Sequence, residues 1–187
     1  GLMWSIAISV LIGVLMGVYE WLEFVLLPVL NLLSYTPATA MFAVFFALVA
    51  VGEPMFVAMV GFGVMPTLTK SIYLCAKNDL HDEEINKGYT LGASSFEVTW
   101  CIVFMKILPK VIDSIRIQIG PAMVCLIAAE MLVGQIGFGY RIRVQQRLLN
   151  MAVVYDYLFI LGVVGLIMDR SMIWLRDYLC PWYKKGE

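Results

Sequence analysis

The sequence predicts an all-α integral membrane protein. Of its 187 residues, 61% are hydrophobic and only 14% are charged, whereas ordinary soluble domains contain about 45–50% apolar and about 25% charged residues. Several segments of the chain are apolar over the roughly 20 residues that a helix needs to cross a bilayer. The formal net charge of −1 argues against nucleic-acid binding, which depends on an excess of basic residues.

Five charge-poor segments are predicted to cross the membrane as helices. Between the first and the second lies Glu20–Pro37, which contains two prolines. Because proline removes a helix hydrogen bond, we expect a short interfacial helix and a turn there. The second segment has about 15 residues, so it must be tucked inside the protein or start deeper in the membrane. Gly52-Glu53-Pro54 predicts a turn that makes the second and third segments antiparallel. The five segments are Gly1–Tyr19, Ala38–Gly52, Met55–Leu74, Ile117–Tyr140 and Asn150–Met168.

The longest charged stretch, Ala76–Pro109, lies between the third and fourth crossings. With the C-terminal tail on the same side, that side carries nine lysines and arginines, against three on the other side. The positive-inside rule therefore places this stretch and the tail in the cytoplasm. Five crossings then put Gly1 on the outer side. Because the sequence starts apolar without an initiator Met, we expect an N-terminal truncation, and one missing helix would give six crossings.

A series of short motifs carries a family resemblance. The charged stretch contains Ile-Asn-Lys-Gly-Tyr-Thr-Leu-Gly-Ala-Ser at 85–94 and ends in Leu108-Pro109. In this order the motifs resemble the permease subunits of bacterial ATP-binding-cassette importers, in the group that serves sulfonates, taurine, nitrate, bicarbonate and thiamine-precursor pyrimidines. The resemblance covers nearly the whole chain and begins in what looks like the family's second helix. The later motifs are Ile115-Arg116-Ile117 with Gly120, Ala129-Glu130-Met131, Gly137-Phe138-Gly139-Tyr140 and Gly165–Arg170.

The resemblance implies a type I importer permease fold, with residues 1–187 as one transmembrane domain and 76–109 as a cytoplasmic coupling loop held by an ATPase. The sequence departs from the motif, since Asn86 replaces its glutamate, Lys87 and Gly88 replace its two alanines, and Met105 replaces a proline. Pro109 and Arg116 are expected to anchor the loop to the following helix. The residues expected to contact the ATPase are Glu83, Glu84, Asn86, Lys87, Gly88, Leu91, Gly92, Ala93, Ser94 and Phe96.

The resemblance also implies partners. We expect a second copy of the permease, two cytoplasmic ATPase subunits, an extracytoplasmic binding protein and the bilayer of the bacterial inner membrane. The glycines near 134–139 follow no strand and precede no Gly-Lys-Ser/Thr, so they do not form a phosphate-binding loop. We therefore expect no cofactor in this chain, with ATP and Mg²⁺ bound by the ATPase subunits. The expected solute is a small oxyanion such as a sulfonate, nitrate or bicarbonate.

Several residues have two interpretations. Glu130 and Met131 are candidates for the pathway or for gating, because an acid within a membrane helix is costly. Alternatively, Glu130 is a helix-terminal group paired with Arg116 or with a backbone donor. The arginines at 141, 143 and 147 either dock an acidic binding protein or coat an interfacial helix.

Two other functional classes remain as alternatives. One is a scaffold that binds an ATPase and moves nothing. The other is a membrane-embedded enzyme, which the sequence disfavours because His81, the single histidine, has no nucleophile motif beside it. The four cysteines are far apart and include no Cys-x-x-Cys pair, so neither a zinc site nor a disulfide framework is expected.

Overall fold

A computed structural model describes residues 1–48, 52–79, 90, 92, 94 and 97–183. All regular secondary structure in the described residues is helical. A π-helical segment at Val98–Val103 leads directly into the fifth α-helix. The α-helices are α1 (Leu2–Val18), α2 (Glu20–Tyr35), α3 (Phe42–Leu48), α4 (Glu53–Asp79), α5 (Phe104–Val133), α6 (Phe138–Arg147) and α7 (Met151–Leu179).

Helix α1 packs parallel to α4 through a row of small residues. A methyl group added to Gly13 would lie 2.9 Å from Ile72 Cβ, and one added to Gly17 would lie 2.3 Å from Ala76 Cβ. The Ser9 hydroxyl donates a hydrogen bond to the Met65 carbonyl at 3.2 Å. Only small side chains let two membrane helices approach so closely. The row therefore fixes α1 against α4, and both helices run in the same direction.

Helices α2 and α3 correct the prediction for residues 20–52. Residues 20–35 form a helix of 16 residues that continues through Pro28, not a short helix and a turn. Its first turn contacts the end of α4, where Tyr73 donates a hydrogen bond to Glu23 at 2.5 Å. Farther along the chain, Ala38 lies beside Gly63, and Phe45 packs edge-on to Phe62 with ring centroids 5.5 Å apart.

The order of these contacts shows that residues 20–48 run antiparallel to α4 along much of its length. Helices α2 and α3 together therefore form one broken crossing. The predicted second crossing at 38–52 is helical only at Phe42–Leu48, and residues 49–51 lie outside the described part.

Helix α5 is longer than predicted. It begins at Phe104, ends at Val133, and contains both Pro109 and Pro121, so it starts 13 residues before the predicted crossing. It runs antiparallel to α4: the Ser71 and Ser114 hydroxyls are hydrogen-bonded at 3.0 Å, while Ala129 packs with Met55 and Met59 near the start of α4. The predicted crossing at 117–140 was wrong at its C-terminal end, because a turn at 134–137 separates α5 from α6.

The core lies between α1, α4 and α5, whereas α7 lies at its edge. The long exposed apolar faces are typical of membrane helices. By length and composition, three of the described helical segments are suited to crossing a membrane: Pro54–Asn78, Phe104–Val133 and Met151–Leu179. The buried core residues are Val14, Val60, Val64, Leu68, Ile72, Ala76, Val103, Ile107, Val111 and Ala122.

Candidate functional site

The structure describes two of the ten predicted ATPase-contacting residues, Gly92 and Ser94. The other eight lie outside the described residues, so the prediction for them is unchanged: Glu83, Glu84, Asn86, Lys87, Gly88, Leu91, Ala93 and Phe96. Gly92 is exposed and has φ +84°, a left-handed conformation that glycine adopts without steric cost. A methyl group added there would meet no described residue within 4 Å, so a substitution would be disfavoured by the backbone conformation and not by a clash with the described part of the chain.

Ser94 and Glu97 form a capping box at the exit of the loop. The Ser94 backbone N–H and hydroxyl donate to Glu97 Oε2 at 2.8 and 2.9 Å, and the Glu97 backbone N–H donates to the Ser94 hydroxyl at 3.3 Å. The Val98 N–H then donates to the Ser94 carbonyl at 2.9 Å, which begins the helical hydrogen-bond pattern. These bonds satisfy donors that a helix start leaves unpaired. The sequence prediction treated Ser94 as a partner contact and missed this role, although Ser-x-x-Glu is a local signal for it.

The charge of Glu97 contributes to this cap. Hydrogen bonds from the Ser94 backbone N–H and then from its hydroxyl hold the pKa of the Glu97 carboxyl below its ordinary value. Glu97 is therefore ionised at neutral pH, where an anion at a helix N-terminus is favourable.

The capped exit leads straight into α5. Val98 and Val103 in the π-helical segment are fully buried, and Pro109 is buried in the first turns of α5. Isolated π-helical turns are uncommon and often occur at functional sites. Because no loop intervenes, a displacement of the loop exit would be transmitted to a helix of 30 residues.

Arg116 connects α5 to α7. Its Nε donates to Asp169 Oδ1 at 2.5 Å, and its Nη1 lies 3.6 Å from Asp113 Oδ1. Its partners lie on α5 and α7, and anchoring of the loop by Arg116 stays a prediction. The sequence holds 14 acidic residues, and no local pattern singles out a partner 53 positions away.

Glu130 lies at a corner between α5 and α6. Its Oε2 accepts a hydrogen bond from the Gly139 backbone N–H at 2.8 Å. Gly137 has φ +109°, and a methyl group added there would lie 2.5 Å from the Glu130 carboxyl carbon. The corner requires glycine at both positions, because the carboxylate occupies the space beside Gly137 and a methyl group added to Gly139 would lie 2.4 Å from the Ile127 carbonyl oxygen. Glu130 is therefore paired with a backbone donor, and a pathway or gating role for Glu130 and Met131 stays a prediction.

Arg143 completes the corner from the opposite side. Its guanidinium donates to the carbonyls of Met131 at 2.7 Å, Leu132 at 3.0 Å and Gly134 at 2.9 Å. A cation that satisfies the last carbonyls of a helix stabilises its C-terminus. Arg143 and Glu130 therefore cap α5 and α6 reciprocally, and Met131 contributes its backbone. Arg141 and Arg147 stay exposed on α6.

Comparison with known proteins identifies the family to which this chain belongs. The chain belongs to the family described as binding-protein-dependent transport system inner membrane component, which matches residues 9–185. It is therefore a multi-pass inner-membrane protein and a permease subunit of the ATP-binding-cassette importer type.

Three relatives refine this assignment. An ABC transporter permease protein of Methanocaldococcus jannaschii is 27% identical over 98% of this chain and 69% of its own length. The taurine transport system permease protein TauC of Escherichia coli is 21% identical over 96% of the chain and 65% of its own length. The nitrate import permease protein NrtB of Synechocystis is 24% identical over 93% and 63%. The chain thus spans about two thirds of the length of each relative.

Proposed function

We propose that this chain, as a single permease domain, pairs with a second copy to form the pathway for a small oxyanion. A binding protein outside the membrane delivers the solute, and two cytoplasmic ATPase subunits bind ATP and Mg²⁺ and hold the two coupling loops. The observation that carries the proposal is the direct passage from the capped loop exit at Ser94 and Glu97 into α5, in a chain of the importer family.

The structure supports coupling through α5. A loop that slides freely would transmit no force, whereas this exit has a hydrogen-bonded cap and continues into a helix that packs along α4 and α7. ATP binding draws the two loops together and tilts the attached helices, which is an alternating-access motion.

The choice of an oxyanion rests on the relatives. TauC is named for taurine, which carries a sulfonate, and NrtB is named for nitrate. At identities of 21% and 24%, these names support a class of solute for this chain and do not specify one compound.

The outer face supports docking of an acidic binding protein. Arg141 and Arg147 are exposed on α6, whereas Arg143 donates hydrogen bonds to backbone carbonyls at the corner between α5 and α6. These two exposed arginines give α6 a basic surface on the predicted outer side, and complementary charge steers association between proteins.

A matched pair of glycine substitutions tests the proposal. Gly92→Ala forces a residue with a side chain into a left-handed conformation, at a cost of about 1–2 kcal/mol. Gly120→Ala is the control, because Gly120 lies in α5 and an added methyl group meets nothing within 4 Å. In liposomes with the co-purified ATPase and binding protein, we expect Gly92→Ala to lower uptake of taurine or nitrate roughly 5–30-fold and Gly120→Ala to leave it unchanged.

The same preparation distinguishes the alternatives. ATPase association without uptake of any solute would favour the scaffold, and solute chemistry without an ATPase would favour the enzyme. Equal uptake by both glycine variants would contradict the role of the loop.

A further inference from the structure

Five charged residues meet where α5 and α7 cross near the predicted cytoplasmic side. Asp113 and Arg116 lie on α5, and Asp169, Arg176 and Asp177 lie on α7. We call this group the α5–α7 clasp. Arg176 Nη1 donates to both oxygens of Asp113 at 2.9 and 3.1 Å, while its Nε and Nη2 donate to Asp177 Oδ1 at 3.0 and 2.8 Å. Arg116 forms the second bridge, to Asp169 at 2.5 Å.

Only the Arg176 side chain, at the centre of the clasp, is nearly buried. It is 9% exposed, whereas Arg116 and Asp113 are 30% and 29% exposed, and Asp169 and Asp177 are 40% and 59% exposed. On the same helix, Trp174 and Tyr178 stack with ring centroids 5.7 Å apart, and such aromatic residues are typical of the membrane interface. Ion pairs in this setting are stronger than in bulk water, and a partner left alone is costly.

Among the described residues, little else contacts the inner half of α7. Among the described helices its main contacts are with α5 and α6. Its outer end packs through Tyr157 against Phe138, with ring centroids 6.0 Å apart. Between this contact and the clasp lies an apolar cavity of about 290 Å³. Close packing therefore does not fix the middle of α7 against the core. The cavity is lined in part by Val60, Ile119, Met123, Leu161, Val164 and Met168.

We propose that Asp113, Arg116, Asp169 and Arg176 are positioning residues that transmit the motion of the coupling loop from α5 to α7. This inference rests on the proposed function. Asp113 and Arg116 lie within about the first four turns of α5, close to the point where the loop exit enters this helix. When the loop moves, the clasp makes the inner end of α7 follow α5, and the cavity leaves room for α7 to move.

The first test uses the chain alone in membranes. Cys180 is 1% exposed and its backbone N–H bonds to the Arg176 carbonyl at 2.8 Å, so its thiol reports whether the end of α7 stays in place. The other three cysteines are replaced by alanine, and inside-out vesicles are treated with a membrane-impermeant maleimide. The variants are Asp113→Asn, Arg176→Gln and the double variant. Arg170→Gln is the control, because Arg170 is an exposed arginine on the same helix.

We expect Asp113→Asn to raise the labelling rate of Cys180 roughly 5–30-fold and the double variant to add little, since the two residues act as one unit. Arg170→Gln should label like the parent. Unchanged labelling in Asp113→Asn, or effects of the single substitutions that simply multiply, would overturn the clasp.

The second test uses the complex with its ATPase and measures ATP hydrolysed per solute transported. A merely structural defect would lower both rates together, whereas a failure of transmission should raise this ratio at least about fivefold in Asp113→Asn. If Asp113→Asn raised the labelling of Cys180 but left the ratio of ATP hydrolysed to solute transported unchanged, the clasp would hold α7 in place without transmitting motion. That result would overturn the proposed transmission. If the parent complex moves no solute, the proposed function fails and transmission fails with it, while the labelling cycle still decides whether the clasp fixes α7.

Discussion

Substitution of Glu130 by glutamine distinguishes two roles of this residue. If Glu130 only caps the helix, transport should persist, whereas if its charge acts on a solute or a proton, transport should be lost. Glu130→Gln keeps an oxygen that can accept the Gly139 N–H hydrogen bond, now 2.8 Å long, and loses only the charge. An anion at a helix N-terminus contributes about 0.3–1 kcal/mol, so we expect a small loss of stability.

Glu130→Ala removes the acceptor itself. Gly139 is buried, so its N–H would be left without a partner in the observed corner, at a cost of about 1–3 kcal/mol. The alanine variant should therefore be less stable than the glutamine variant by about 1–3 kcal/mol, because both variants lose the charge and only alanine loses the acceptor. It should also transport several-fold less because the corner between α5 and α6 loosens.

The assay combines thermal stability of the detergent-purified protein with uptake in liposomes. We expect Glu130→Gln to stay within about threefold of the parent in uptake, since it loses less than about 1 kcal/mol. Glu20→Gln is the control, because Glu20 is an exposed acid at the start of α2. If Glu130→Gln abolished uptake while its stability stayed close to that of the parent, the charge itself would act on a solute or a proton, and capping would not be its main role.

Two further predictions concern the α1–α4 contact and the loop exit. Gly17→Ala should lower the thermal midpoint, because the added methyl group 2.3 Å from Ala76 Cβ costs about 1–3 kcal/mol in overpacking against a gain of about 0.5–1 kcal/mol in helix propensity. Gly162→Ala, where nothing lies within 4 Å, should raise the midpoint or leave it unchanged; the same loss in both variants would refute the close contact. For Glu97, whose pKa lies below its ordinary value of 4.5, the carboxylate contributes stability above the unfolded pKa, and this contribution is lost as pH falls through the lower folded pKa. Protection of the Val98 amide from hydrogen exchange, corrected for the intrinsic rate, should therefore stay constant from neutral pH to about 5 and fall below 4.5, and Glu97→Gln should lack this dependence.

Sequence patterns predicted the helical membrane class, because it depends on composition and on the length of the apolar segments. They misjudged the effect of proline. Pro28 lies inside α2, because proline removes only one helix hydrogen bond and neighbouring helices can support the interrupted turn. The Ser94–Glu97 cap was predictable from its spacing. The pairing of Arg116 with Asp169 was not, because only the crossing of α5 and α7 brings these residues together.

The unequal packing of the helices indicates which parts can move. Helix α1 lies so close to α4 at Gly13 and Gly17 that the two cannot slide without separating. The buried core joins α5 to this pair. By contrast, α2 and α3 form an interrupted crossing, and α7 is held by ion pairs at one end and an aromatic contact at the other. If α5 tilts under force from the loop, α1 and α4 must move with it as one body. Relative displacement should then occur along the middle of α7, beside the cavity, and at the α2–α3 break, where few packed side chains resist it, while the inner end of α7 follows α5.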